Sequence, residues 1–327
     1  MKNRAHVGSY KGEAPRIPSR HADAISAELL MDAARFADYA NQSYWTDPGE
    51  YHSLFDCLSN DPAVLPSILA ELIFHPSIAA SRGISIPESA RGDMALRTAE
   101  QLLEVLISRD DRPLTEARLP EHRLFVSCRH YALLAASVLR KYAVPVRLRV
   151  GFATYFGSGY YVDHWVCEYR NGQGWKLLDA ELDSATRAQY HIQFPAHDVP
   201  RDCFLSAAKV WQKLGAGALD ASRVGVPEIG ITGSWFAAAS LFRDAAALLM
   251  EEMQPCDYWG PARQFVEARE VQSNWLDRLD KLAGILAEEP QTFSDSQAIV
   301  DLFPWIQVTP TVLTFPSGEP IEESVSH

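Results

Sequence analysis

Apolar residues recur at three- and four-residue spacing through AISAELLMDAARFADYA, LPSILAELIF and MALRTAEQLLEVLI, which predicts helices from Ala24 to about Ser108. Near Pro120 the period changes. One more helix follows Ser127, and then VRLRVGFATYF, DHWVCEY and WKLLDAEL read as strands. Beyond Pro200 the helical period returns in FLSAAKVWQKL, WFAAASLFRDAAALLMEEM and VQSNWLDRLDKLAGILAEE, with no internal repeat. The pattern predicts an α+β chain in five sections: a disordered segment over residues 1–22, a helical section over 23–115, a mixed core over 116–200, a second helical section over 201–305, and a loose tail over 306–327. Both ends are polar and lack periodicity, so neither has an apolar face to bury.

Chemistry concentrates in the middle section. Ser127 is a good N-cap, and the helix it opens shows one apolar face through Tyr131, Leu134, Ala135, Val138, Leu139 and Tyr142 before Val144-Pro145 ends it. Cys128 then occupies the first turn, where unpaired N–H groups and the helix dipole favour a thiolate. A buried cysteine is otherwise a small hydrophobe. The segment from Asp163 to Asp179 reads as a hairpin with its turn at Gly172-Gln173. In that register Arg170 faces Trp175, Val166 faces Asp179 and His164 faces Glu181. His164 and Asp179 then project from one face as diagonal neighbours, roughly 7–8 Å apart at the backbone, and their side chains can meet. A nucleophile, a base and a group that fixes the base's tautomer are what acyl chemistry requires. Glu181 and Asp183 stand close enough in sequence to replace Asp179 as the orienting acid. Cys167 falls on the opposite strand face, and Cys57, Cys203 and Cys256 are expected in the core with it.

Composition narrows the setting. Thirty Lys and Arg stand against 42 Asp and Glu, and the net charge of −12 argues against nucleic acid as a partner. The opening residues lack the apolar run of about 7–15 residues that a secretory signal needs, which points to a cytoplasmic protein. The greasiest stretch, Ser234–Met250, contains Arg243 and Asp244 and reads as a buried helix rather than a membrane span. The five cysteines are scattered, without a Cys-x-x-Cys pair, as in a reduced cytoplasmic protein. Cys128-Arg129-His130, His191 and His197-Asp198 show no known zinc spacing, and no phosphate cradle follows a strand, so no metal or cofactor is implied.

The order of a Cys at a helix start, Pro-x-Arg-x-x-x-Gly over Pro145–Gly151, His164-Trp165, and an Asp after a Trp-led strand resembles the transglutaminase-like superfamily over about Arg123–Asp183. That resemblance implies a papain-like core in which a Cys-bearing helix packs on antiparallel strands. It assigns Cys128 as nucleophile, His164 as general base and later acid, and Asp179 as the residue holding the imidazole. The segment Asp257-Tyr258-Trp259-Gly260 and the flanking helices look like those of bacterial members rather than the large calcium-dependent animal enzymes. The expected activity is acyl transfer or amide hydrolysis on a small-molecule, peptide or carrier-bound acyl substrate. Trp165, Tyr155 and Tyr161 are the candidates for substrate or oxyanion contacts, the two tyrosines flanking a Gly-rich loop before His164. No protein partner is indicated. A competing expectation is a binding or scaffolding module that keeps the fold and has lost the activity.

Overall fold

The computed structural model describes residues 34–327 except 158, 173, 316, 317, 326 and 327, so the segment expected to be disordered at the N-terminus lies outside the described residues. The described part is α+β, built on a mixed six-stranded sheet. In chain order its elements are α1 (Ala37–Ala40), α2 (Leu65–Ala70), β1 (Ile73–Phe74), α3 (Pro76–Ser81), α4 (Ala99–Arg109), β2 (Leu124–Phe125), α5 (Cys128–Lys141), β3 (Val146–Ala153), β4 (Tyr161–Arg170), β5 (Trp175–Leu178), α6 (Ser184–Gln189), β6 (Phe204–Ser206), α7 (Ala207–Gly215), β7 (Val224–Val226), β8 (Ile231–Thr232), α8 (Ser234–Leu248), α9 (Ala262–Ala268), α10 (Ser273–Ala287), α11 (Phe293–Leu302), β9 (Thr311–Thr314) and β10 (Ile321–Ser324).

The front section is less helical than its periodicity predicts. LPSILAELIF stops being helical at Ala70, and its last two residues form β1, which pairs in parallel with β2. MALRTAEQLLEVLI is an α-helix only from Ala99, where Thr98 caps the chain and Gln101 returns the bond in a capping box. Gly49–Cys57 is a 3₁₀ helix, a form that side-chain periodicity does not separate from α.

β4 is the branching strand of the sheet. It pairs with β3 from Val162 to Tyr169, with β5 at its C-terminal end and with β7 at Tyr161-Val162. The hairpin register matches expectation at Arg170–Trp175 and runs to Cys167–Leu178. It ends there, one residue before the expected Val166–Asp179 and His164–Glu181 pairs, because the Asp179 amide turns away to donate to the Ala196 carbonyl (2.8 Å). Between β5 and β7 the sheet therefore splits beside His164. On the other side of β4, Gly151 pairs with both His164 and Ser206. A Cβ there would lie 2.2 Å from the Leu205 carbonyl oxygen, so a side chain would push β6 off the sheet.

α5 is held at both ends. At its start the Ser127 hydroxyl and the His130 ring form a capping box, and His130 Nε2 lies 2.8 Å from the Leu96 carbonyl. Near its end, Arg140 pairs with Glu252 (3.0 Å), both fully buried, while Arg129 bonds the Glu252 carbonyl. Burial pulls the Arg129 guanidinium down to about 9 against the opposing pull of Glu252. The apolar Ser234–Leu248 helix is buried as expected, and its Asp244 is paired with β3, accepting from Arg149 (2.9 and 3.0 Å) and from the Val150 amide (2.9 Å), while Arg243 donates to the Ser240 hydroxyl (2.9 Å). Among the described residues no helix is long and apolar enough to cross a membrane.

Two expectations fail. The C-terminal tail is not loose: β9 and β10 form an antiparallel hairpin anchored by Arg97, which bonds Glu323 (2.6 Å) and Asp257 (2.8 Å). Its alternation is only four residues per strand, too short to stand out in a polar tail. Nor are all the cysteines core residues, since Cys57 is exposed and Cys203 and Cys256 are half-buried.

Removing one member of the Arg140–Glu252 pair leaves the other charged and dry. Glu252→Ala should therefore lower the unfolding free energy by about 3–5 kcal/mol, seen as a fall in the urea midpoint.

Candidate functional site

The capped start of α5 and the split in the sheet bring the predicted residues together. Cys128 is the first helical residue after the Ser127 cap. His164 projects from β4 beside the split, and Asp179 sits where the chain has just left β5. His164 Nε2 lies 2.8 Å from Asp179 Oδ2, and the other edge of the ring faces the thiol. Cys128 Sγ, a His164 ring nitrogen and a Glu181 carboxylate oxygen lie within 4.8 Å of one another.

Asp179 is fully buried, and its carboxylate faces His164 and takes two further donors. The Tyr155 hydroxyl gives a 2.6 Å bond to Oδ2, and the Glu181 amide gives a 3.0 Å bond to Oδ1. Tyr155 thus braces the acid that braces the histidine. The edge of the imidazole meets Phe156 and Tyr155 at centroid distances of 4.9 and 6.1 Å, which restricts its rotation.

Electrostatics divide the site. Burial alone would lower the His164 pKa, but Asp179 and the thiol hold it well above the ordinary imidazole value. Burial pushes the Cys128 thiol up, against the pull of His164, so the lowering expected from a helix start is outweighed by loss of water. Glu181 is buried, its Oε2 has no partner among the described residues, and burial raises its pKa to about 8. Asp163 has a similar buried, unpartnered Oδ1 and is raised by burial to about 6.

Cys128, His164 and Glu181 open onto a cavity of about 990 Å³. Its floor includes Cys128, His164, Asp163 and Glu181, and its walls include Trp235, Phe236, Ile231, Leu313 and Phe315. Several of these are far from the middle section in sequence. The C-terminal hairpin supplies Leu313 and Phe315 and the α8 start supplies Trp235 and Phe236, and Cys256 also lines the cavity. Nothing in the sequence marked them as site residues, because a wall residue and a core residue have the same apolar signature.

Of the substrate or oxyanion candidates, Trp165 is buried in the main core and lines no part of this cavity. Its strand neighbour His164 faces the other way, as alternation requires. Tyr161 packs partly buried against the same core and is likewise absent from the cavity wall. Tyr155 contacts Asp179 rather than the cavity. Cys167 is in the core, with Sγ donating to the Ala132 carbonyl (3.1 Å). His130 is absorbed by helix capping, and His191 and His197 lie outside the cavity lining.

The chain matches no protein-family model, no curated protein and no solved structure.

An acid whose folded pKa is raised binds its proton more tightly folded than unfolded. Glu181 therefore contributes full stability below the ordinary carboxylate range, and that contribution is lost as pH rises to about 8. Glu181→Gln should remove this slope and, at pH 8, raise the unfolding free energy by about 4 kcal/mol, measured by urea titration across pH.

Proposed function

We propose that the protein is a transglutaminase-like thiol enzyme with a papain-like core, acting by acyl transfer or amide hydrolysis. The reading rests on one observation: a cysteine at the first position of a capped helix meets an imidazole whose other nitrogen bonds a fully buried carboxylate, on the floor of a large cavity. An isolated buried cysteine has no need of an oriented, aspartate-backed histidine.

In this mechanism His164 takes the Cys128 proton as sulfur attacks the carbonyl of a thioester or amide. The carbon–sulfur bond forms as the carbonyl pair moves to oxygen. His164 then gives its proton to the leaving thiol or amine, and the acyl group stays on Cys128. Water or an amine, deprotonated by His164, attacks the thioester and releases the thiol. Asp179 fixes the tautomer and stabilises the imidazolium. The backbone N–H of Cys128, free at the helix start, supplies one hydrogen bond to the oxyanion. The raised thiol pKa is consistent with general-base catalysis, in which the proton leaves as the nucleophile attacks.

The substrate is read from the cavity. Its volume suits a drug-sized molecule, and its aromatic and aliphatic walls favour an apolar acyl group. A small molecule or a carrier-bound acyl chain fits this better than a long polypeptide.

Intact-protein mass spectrometry after incubation with a panel of acyl thioesters and peptide amides, in chelator, tests the reading. Wild type should gain one acyl mass and Cys128→Ala none, and His164→Ala should form the adduct about 10²–10⁴-fold more slowly. Absence of any wild-type adduct across the panel, or an equal adduct on Cys128→Ala, defeats the assignment.

A further inference from the structure

Glu181 has no task in the mechanism above, yet it is the least comfortable side chain in the site. Its carboxyl is buried, Oε2 has no partner among the described residues, and it faces the thiol and the imidazole across less than 4.8 Å. Leaving a buried carboxyl oxygen unpaired costs about 1–3 kcal/mol, more if it is charged. A group held at that cost beside a sulfur and a nitrogen ligand is well placed to receive a cation.

We propose that Cys128, His164 and Glu181 form a binding site for a zinc-class divalent ion that reversibly blocks the nucleophile. One thiolate, one imidazole and one carboxylate are a ligand set zinc accepts, with the fourth position facing the cavity for water or a substrate atom. The nitrogen offered is Nδ1, because Nε2 is committed to Asp179. That contact is itself the pattern of metal-bound histidines, whose second nitrogen is fixed by a carboxylate that orients the ring and raises its basicity. Here the orienting carboxylate is in turn held by Tyr155, at 2.6 Å. Two of the ligands lie on segments with restricted freedom: Cys128 on the capped helix and His164 on a strand paired with β3. Small side-chain rotations bring the three atoms from their present spacing to the distances of about 2.0–2.3 Å from a common ion that zinc requires.

Binding balances as an acid–base exchange. The thiol, the carboxyl and the imidazole Nδ1 each give to solvent whatever proton they carry, and three bonds to the metal form. No electron is transferred. The ion neutralises two carboxyl and thiolate charges that burial otherwise penalises. Metal and acyl donor compete for the same sulfur, so the loaded protein is unreactive towards electrophiles and a chelator restores it.

The test uses the purified full chain with Zn²⁺ alone, and with Co²⁺ as a spectroscopic probe. Equilibrium dialysis should give one tight ion per chain, and Co²⁺ should show sulfur-to-metal charge-transfer absorption. Zn²⁺ should suppress iodoacetamide labelling of Cys128 and leave exposed Cys57 labelled. Asp179→Asn should weaken Zn²⁺ about 10–100-fold through the second nitrogen of His164. Cys128→Ser and Glu181→Gln, each checked for an unchanged far-ultraviolet spectrum, should weaken it more than that, and Cys128→Ser should abolish the charge-transfer band. Wild-type affinity in folded Glu181→Gln, or Cys128 alkylation unaffected by Zn²⁺, overturns the proposal. These readouts do not depend on acyl chemistry, so failure of the metal site and failure of the acyl-enzyme are seen separately.

Discussion

The position of the Cys128 helix depends on a buried charge. Arg140 and Glu252 meet without water, and Glu252 also takes Arg129 on its carbonyl and Ser43 on its second carboxylate oxygen (2.7 Å). Dry ion pairs seldom add net stability, because desolvation consumes most of the attraction. What such a pair does supply is a narrow register: sliding α5 by a turn would strand both charges. Combined with the Ser127 cap, it fixes where the helix begins, and with it the location of the thiol.

A second constraint fixes the partner of that thiol. β4 cannot pair with β5 and β7 over the same residues, so its edge is bare between Val162 and Cys167. His164 occupies that interval. The same departure of β5 that bares the edge places Asp179 at the bend, where its amide is satisfied by Ala196 and its carboxylate returns to the ring. The His164–Asp179 contact is thus a by-product of one local event, the end of a strand pairing. Glu168, farther down β4, shows the contrast: it is paired with Arg147, Arg149 and Arg201, and its carboxyl is held well below the ordinary range despite burial. Glu168 in the body of the sheet is compensated by arginines, whereas the Asp163 and Glu181 carboxyls beside the split are raised by burial.

The contrast explains what was legible in the sequence. The capped helix start, the turn register at Arg170–Trp175 and the same-face relation of His164 and Asp179 depend on local alternation and capping, and all three are present in the structure. The strand end at Leu178 was not legible, since it is decided by the Ala196 carbonyl, a partner outside the hairpin. Trp165 is a candidate through the family resemblance, and alternation along β4 puts it on the face opposite His164, in the core. The cavity wall was invisible for another reason. Leu313 and Phe315 come from a tail whose short strands are stabilised by Arg97 and by the Tyr258–Leu313 bridge, contacts that only tertiary proximity reveals.

The charge state of the site follows from these geometries. With His164 protonated, Asp179 balances it one to one. A Cys128 thiolate would then be a surplus negative charge, facing Asp163 and Glu181 with little water to screen it, which is why burial raises the thiol and both carboxyls together. A resting neutral thiol beside a neutral Glu181 is the cheaper arrangement. Anything that brings positive charge or a hydrogen-bond donor onto that floor, whether a metal ion or a polar end of a substrate, shifts the balance towards the ionised form. Occupancy of the cavity and ionisation of the sulfur are therefore coupled through electrostatics.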